Sequence, residues 1–280
     1  MKFRLLEPWR CQHERLLIRD YKAMAKATYK YDAYRKAMVP YKNSGCVLVL
    51  GAGTGGLVDA CLKAGVPMEH IWMVDFNPTA TRVLRRKYGS ERVQEGKIQD
   101  QTLWEGLSNK GMGRPDVMVA ELMGSTGCNE DMPELVHAAV VAVAKTFGGP
   151  APELVPRRLT TQFHACPDLG RVLCNKLPSG ENPLRLIDAP VSMLPVTRDV
   201  GTWEWNLGDM PHDREMAMEN TTLVTFAADL GSGVVLHGGD ADHSVLTEQH
   251  ECEWLPAVLR RGLLRRTTHG SGASYHIVTN

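Results

Sequence analysis

Two glutamates, Glu121 and Glu130, bracket a loop of small residues, Gly124-Ser125-Thr126-Gly127-Cys128, directly after the apolar run Val117–Ala120. Two carboxylates in one pocket repel, and each raises the pKa of the other unless a cation lies between them. A guanidinium is the matching cation: planar, with five donors that pair bidentately with carboxylates. The pair therefore points to an arginine-like ligand, with a solvated acidic loop as the alternative.

A second group lies upstream. Gly51-Ala52-Gly53-Thr54-Gly55-Gly56 follows the run Cys46–Leu50, and Asp75 closes the run Ile71–Val74. Glycines after a buried strand let the backbone turn tightly and approach a ligand closely. The helix that follows offers its positive end, and an acidic residue about 20 residues on binds ribose hydroxyls. The unit reads as a nucleoside-cofactor site, of a kind used for both NAD and S-adenosylmethionine. Asp100-Gln101, past a third and weaker strand near Val93–Ile98, is a candidate for contact with an adenine, with an ordinary exposed loop carboxylate as the alternative for Asp100.

These residues need elements to hold them. Cys46–Leu50, Ile71–Val74 and Val117–Ala120 have the length and branching of buried parallel strands. Helices are expected over Arg15–Tyr41 (one or two), from Leu57 to a C-capping Gly65, over Thr79–Tyr88 and over Pro133–Phe147. This alternation predicts a doubly wound α/β sheet. After Gly148-Gly149-Pro150 the helical periodicity fades. Strands are then expected at Leu159–Phe163, Thr221–Ala227 and Gly233–Leu236, with Trp254–Leu264 open to a short helix. The expected division is 1–44 (helices covering the cofactor), 45–150 (Rossmann-like domain) and 151–280 (β-rich domain).

Composition narrows the class. The chain has 280 residues, 43% hydrophobic and 23% charged, enough apolar content for a packed core. Its 32 basic and 32 acidic residues balance, which argues against a dedicated nucleic-acid or anionic-membrane binder. No apolar run approaches the roughly 18 residues of a membrane span, and the charged start carries no signal-peptide core. Seven cysteines without a CxxC pair read as reduced and structural, in a cytoplasmic protein. His137, His164 and His243 lack ligand spacing, and no metal is expected. The basic residues Arg260-Arg261 and Arg265-Arg266 read as a solvated face or a weak patch for an acidic partner.

The runs VLVLGAGTGGLVDACLKA, VDFNPTA and VAELMGSTGCNEDMPE resemble the catalytic domain of protein arginine methyltransferases, most closely the symmetric dimethylating type II branch. Tyr21 through Tyr34 resembles that branch's cofactor-covering helix. Val235-Leu236-His237-Gly238, Glu253-Trp254-Leu255-Pro256 and Ser274-Tyr275-His276-Ile277 resemble motifs of the family's β-barrel domain. The resemblance implies a Rossmann-like S-adenosylmethionine-dependent methyltransferase fold followed by a smaller β-barrel-like domain. It implies that Glu121 and Glu130 clamp the substrate guanidinium. Asp75 would hold the cofactor ribose, Gly51, Gly53, Tyr21, Lys30 and Tyr31 would line the cofactor site, and Asp100 and Gln101 would meet the adenine. Met24 and Trp254 would border the substrate, and a homodimer is the implied assembly.

Two departures bear on the acceptor. Met24 stands where the type II branch carries a Phe, and about 20 residues precede the cofactor helix where that branch has a large N-terminal domain. Free arginine or a short arginine peptide is therefore an expected acceptor beside protein. The competing expectations are a non-catalytic partner subunit, a methyltransferase for another small cation and, more remotely, an NAD-linked oxidoreductase.

Overall fold

The computed structural model describes residues 5–6, 16–25, 27–124, 126–128, 130–167, 177, 180–181, 185–187, 196, 198–218, 221–238, 257–260, 262–270 and 272–278. Five parallel strands form one sheet, in the order Val93–Glu95, Ile71–Asp75, Val47–Leu50, Val117–Ala120, Glu153–Val155. The three central strands are buried along their whole length, as continuous apolar runs require when helices cover both faces.

Among the described residues, the α-helices that accompany the sheet are α1 (Ile18–Met24), α2 (Thr28–Met38), α3 (Gly56–Lys63), α4 (Pro78–Tyr88), α5 (Gln101–Asn109) and α6 (Met132–Phe147). Local chemistry sets their ends. The Asn77 side chain accepts from Thr79 N at 2.8 Å and starts α4, with Pro78 at the first position. Gly65 takes a left-handed φ of 98° and ends α3. The strand order reverses at Val47–Leu50, so the carboxyl ends of that strand and its two neighbours surround a crevice of the kind where such folds bind ligands.

Among the described residues, two antiparallel sheets follow the parallel one. Strands Arg158–Ala165, Arg198–Asn206 and Thr222–Gly231 pair around Arg158–Ala165, and Val234–Gly238 hairpins onto Thr222–Gly231. Ala257–Leu259 pairs with the other edge of Thr222–Gly231, and Leu5–Leu6 joins this sheet through Arg185–Ile187. The second sheet centres on the hairpin Gly262–His269 with Gly272–Val278, flanked by Arg214–Met218 and Gly180–Glu181. The α/β, Rossmann-like core with an antiparallel β domain is the architecture expected from the sequence.

Details differ. The short-helix option for Trp254–Leu264 is replaced, over its described residues, by strands at Ala257–Leu259 and from Gly262. The third parallel strand stops at Glu95, paired with Asp75 at the end of its neighbour, and beyond it the Ile98 carbonyl accepts from Trp104 Nε1 at 2.8 Å. Helix α5 was not expected. Among the described residues no helix is long and apolar enough to cross a membrane.

Candidate functional site

The glycine turn is built for close approach. Gly51 and Gly53 have φ of 65° and 54°, a left-handed region that costs little without a Cβ. A Cβ on Gly51 would lie 2.5 Å from Leu122 Cδ2, in the glutamate loop. One on Gly53 would meet the Tyr21 ring at 3.3 Å, and one on Gly56 would meet the Tyr31 ring at 2.4 Å. The aromatic rings of α1 and α2 thus lie directly over the turn.

Asp75 is buried and its two oxygens are oriented by backbone amides. Oδ2 accepts from Gly53 N at 2.7 Å and Oδ1 from Asn77 N at 2.8 Å. One carboxylate therefore ties the second strand to the glycine turn and to the cap of α4. Burial, and then the Asp75 charge, push the Tyr21 hydroxyl well above its usual range. Tyr21 therefore stays neutral beside the carboxylate.

Glu121 leaves the end of the fourth parallel strand and meets Lys30 of α2, with Nζ 2.9 Å from Oε2. Lys30 is 7% exposed and Glu121 17%. Burial works against the ammonium, but the Glu121 charge, Tyr31 and the hydrogen bond to Glu121 outweigh it and hold Lys30 above the ordinary lysine range. The Tyr34 hydroxyl, one turn of α2 further on, donates to the Ala120 carbonyl at 2.6 Å. Two adjacent turns of α2 therefore fix the strand end that carries Glu121.

The loop turns back sharply. Gly127 N donates to Gly124 O at 2.8 Å, closing an isolated antiparallel bridge between those glycines. Glu130 and Asp131 follow, and Asp131 adopts φ 60° just before α6. The Gly127 tip packs against Leu159 and Phe226 of the antiparallel sheet, where an added Cβ would lie 2.9 Å from each. Cys128 is buried, with Sγ 3.0 Å from the Tyr275 hydroxyl and 3.4 Å from Thr161 Oγ1.

The fold thus gathers Tyr21, Tyr31, Gly51, Gly53 and Asp75 around the glycine turn, with Lys30 and Glu121 beside it. Met24 packs against the small cluster of Leu16, Tyr21 and Ala80. Asp100 is exposed at the start of α5, and the Gln101 amide reaches 3.5 Å toward Thr146 of α6. Trp254 lies outside the described residues. His137 and His164 are hydrogen-bonded, to the Gly208 carbonyl and to Asp199 and Thr225 respectively. Among the described residues no group of three His, Cys, Asp or Glu is placed to hold a metal.

Sequence reasoning missed three contacts. The Lys30–Glu121 pair joins residues 91 apart, and nothing local to either predicts it. Tyr275 was read as part of a strand, not as a neighbour of the loop. Arg266, expected at a solvated face, is fully buried, with Nη2 2.7 Å from Glu134 Oε2. Its neighbour Arg265 does face solvent, beside Glu215. The signal was present in the strand period of two, which sends adjacent residues to opposite faces.

Comparison with known proteins adds to the geometry. The family model described as PRMT5 arginine-N-methyltransferase matches residues 2–148. Protein arginine N-methyltransferase 5 of Xenopus laevis is 32% identical over 138 residues, covering 42% of this chain and 20% of that protein. The protein of that name from Oryza sativa subsp. indica is 28% identical over 143 residues, covering 45% and 21%. The chain thus spans about a fifth of the length of the curated relatives it matches. Among solved structures, the Trypanosoma brucei PRMT1 enzyme-prozyme heterotetrameric complex with AdoHcy aligns at TM-score 0.54 and 16% identity, covering 92% of each chain. The PRMT6-SAH crystal structure aligns at TM-score 0.57 and 14% identity, covering 89% of this chain and 96% of that one. At these identities the likeness to the two structures is one of fold.

Proposed function

This chain belongs to the PRMT5 arginine-N-methyltransferase family, and on that premise we propose that it is an S-adenosylmethionine-dependent arginine N-methyltransferase in which Glu121 and Glu130 clamp the acceptor guanidinium. The observation that carries the reading is the Glu121 carboxylate at the carboxyl edge of the parallel sheet, on a loop folded back at Gly124 and Gly127 beside the glycine turn. We divide the chain accordingly: residues 45–150 hold the cofactor, 1–44 cover it and 151–280 support the acceptor side.

The residues around the glycine turn fit a nucleoside cofactor. Gly51 and Gly53 form a cradle that side chains at those positions would fill, and Asp75 is oriented within it by two amides. In this reading Asp75 holds the ribose, Tyr21, Lys30 and Tyr31 cover the turn, and Asp100 and Gln101 lie toward the adenine. When bound, S-adenosylmethionine supplies a methyl group already activated on a sulfonium.

The chain's own part is binding, orientation and proton handling. A guanidinium is a poor nucleophile because its lone pairs are delocalised and its pKa exceeds about 12. Glu121 and Glu130 draw the positive charge toward the nitrogens they bind and leave one nitrogen nucleophilic. Aligning that nitrogen is catalysis by orientation. Lys30 offsets part of the charge on Glu121, so the site keeps a net negative charge only with both glutamates present. Its cationic acceptor therefore needs the pair. Either carboxylate is positioned as proton acceptor in this scheme.

The acceptor class is arginine, free or within a peptide, and the assembly is a homodimer. Mass spectrometry of products formed with labelled cofactor from free arginine and from an arginine-rich peptide tests acceptor and methyl count together. Transfer that disappears in Glu121→Gln supports the reading. Failure to label either acceptor while the cofactor binds overturns it. Sizing of the purified chain reads the assembly.

A further inference from the structure

The carboxylate loop is held from the far end of the chain. Arg266 Nε donates to the Tyr275 hydroxyl at 3.0 Å. With its oxygen accepting there, that hydroxyl is free to donate onward to Cys128 Sγ, 3.0 Å away. The thiol in turn lies 3.4 Å from Thr161 Oγ1, and Thr161 donates to the Thr126 carbonyl at 2.6 Å. The series begins on the hairpin Gly262–His269/Gly272–Val278, enters the loop at Cys128, leaves it for Thr161 and returns at Thr126.

A second tie runs in parallel. Arg266 and Glu134, in the first turn of α6, form an ion pair in which both side chains are 0% exposed. The Arg266 guanidinium also lies 5.3 Å from the Trp205 ring and 5.7 Å from the Tyr275 ring. A third contact runs from Ala273 N to Asp131 Oδ1 at 2.9 Å. Thr126, Cys128, Asp131 and Glu134 are thus each bonded to the antiparallel sheets.

Such a buried ion pair is weak evidence for stability, since desolvation offsets its attraction, and its best-attested use is to fix one arrangement against others. The arrangement fixed here is the return of the loop between Glu121 and Glu130. We infer that Tyr275 and Arg266 are positioning residues that set the separation of the two glutamates, through Cys128 on one side and Glu134 on the other. The inference deepens the proposed arginine-binding role of the pair and rests on it for its functional consequence, but the mechanical part stands by itself.

The test pairs a mechanical readout with a kinetic one. Tyr275→Phe keeps the ring and removes the hydroxyl, and Cys128→Ala cuts the same link from the loop side. Amide hydrogen exchange is followed over residues 121–131, with Val47–Leu50 as internal reference. Loop exchange is expected to quicken on the order of tenfold or more in each variant while the reference strand holds its rate. The double variant should be no worse than either single one, because both cut one series. Cys128→Ser, which restores a hydrogen-bonding group, should behave nearly as the wild type.

In kinetics, the cofactor Kd should stay unchanged. The acceptor KM should rise and kcat fall, with kcat/KM lower by roughly 10- to 100-fold. Loop exchange equal to the wild type in both variants, or quickened equally in the reference strand, overturns the inference. If the wild type transfers no methyl to any guanidino acceptor, the proposed function has failed, and the exchange data alone decide whether the hairpin positions the loop. Should Tyr275→Phe not fold, the comparison of Cys128→Ala with Cys128→Ser carries the same decision.

Discussion

Replacing Gly127 by Ala tests how tightly the glutamate loop is seated. Two separate costs are expected. Gly127 has φ 79°, where an L-residue loses roughly 1–2 kcal/mol. Its new Cβ would also lie 2.9 Å from Leu159 Cδ1 and Phe226 Cβ, and 3.0 Å from Phe226 Cγ. Both neighbours are fully buried in the core, so little can give way, and overpacking there adds about 1–3 kcal/mol. The sum is about 2–5 kcal/mol. Gly233 supplies the control, with φ 76° and nothing within 4 Å of an added Cβ. Gly233→Ala should therefore lose about 1–2 kcal/mol, from backbone strain alone. Urea unfolding of both variants measures the difference, and unchanged m-values would confirm that the denatured state is the same. Methyl transfer should fall in Gly127→Ala through a raised acceptor KM, with cofactor binding retained. Equal destabilisation by the two substitutions would refute the claim that the loop tip is wedged against Leu159 and Phe226.

Three further outcomes are expected. Arg266→Met should lose about 3–5 kcal/mol by leaving Glu134 charged and buried, whereas Arg266→Met with Glu134→Leu should unfold near the wild-type urea midpoint. Burial above all lifts the Asp131 carboxyl from its usual 3.8 to about 6, so the folded state holds that proton more tightly than the unfolded one. Asp131 therefore lowers stability progressively as pH rises from about 4 to about 6, and Asp131→Asn, which tolerates the same backbone, should flatten Tm over that window. Tyr34→Phe, which removes the 2.6 Å bond to the Ala120 carbonyl, should lower stability by about 1 kcal/mol in urea titration.

The parallel core was legible because its signals are local. Val47–Leu50, Ile71–Val74 and Val117–Ala120 are unbroken apolar runs, and each is followed at once by a glycine or acidic residue at the sheet edge. Helix α5 was hidden by Gly106 in its middle, a residue that weakens helices. The reason for that glycine is tertiary, since an added Cβ there would lie 3.0 Å from the Gln94 side chain. The antiparallel half read less clearly. Its strands tend to alternate buried with more exposed residues, and buried polar groups such as Thr161 and Arg266 have partners far along the chain. Arg266 could not be told from Arg265 by residue type, and its buried partner Glu134 lies 132 residues earlier. That Glu121 closes a buried strand was readable from the apolar run before it, but the Lys30 ammonium at Glu121 was not, because helix packing created it.

The long reach from Cys128 to Tyr275, across 147 residues, also orders events in time. The parallel sheet closes mainly through contacts between neighbouring segments, and during synthesis those segments emerge first. The loop carrying the glutamates is made at the same stage, yet Arg266 and Tyr275, which tie it down, leave the ribosome only near the end of the stretch seen here. A nascent chain therefore passes through a stage with a formed glycine turn and an untethered Glu121–Glu130 loop. The loop takes its fixed path only when the hairpin Gly262–His269/Gly272–Val278 docks.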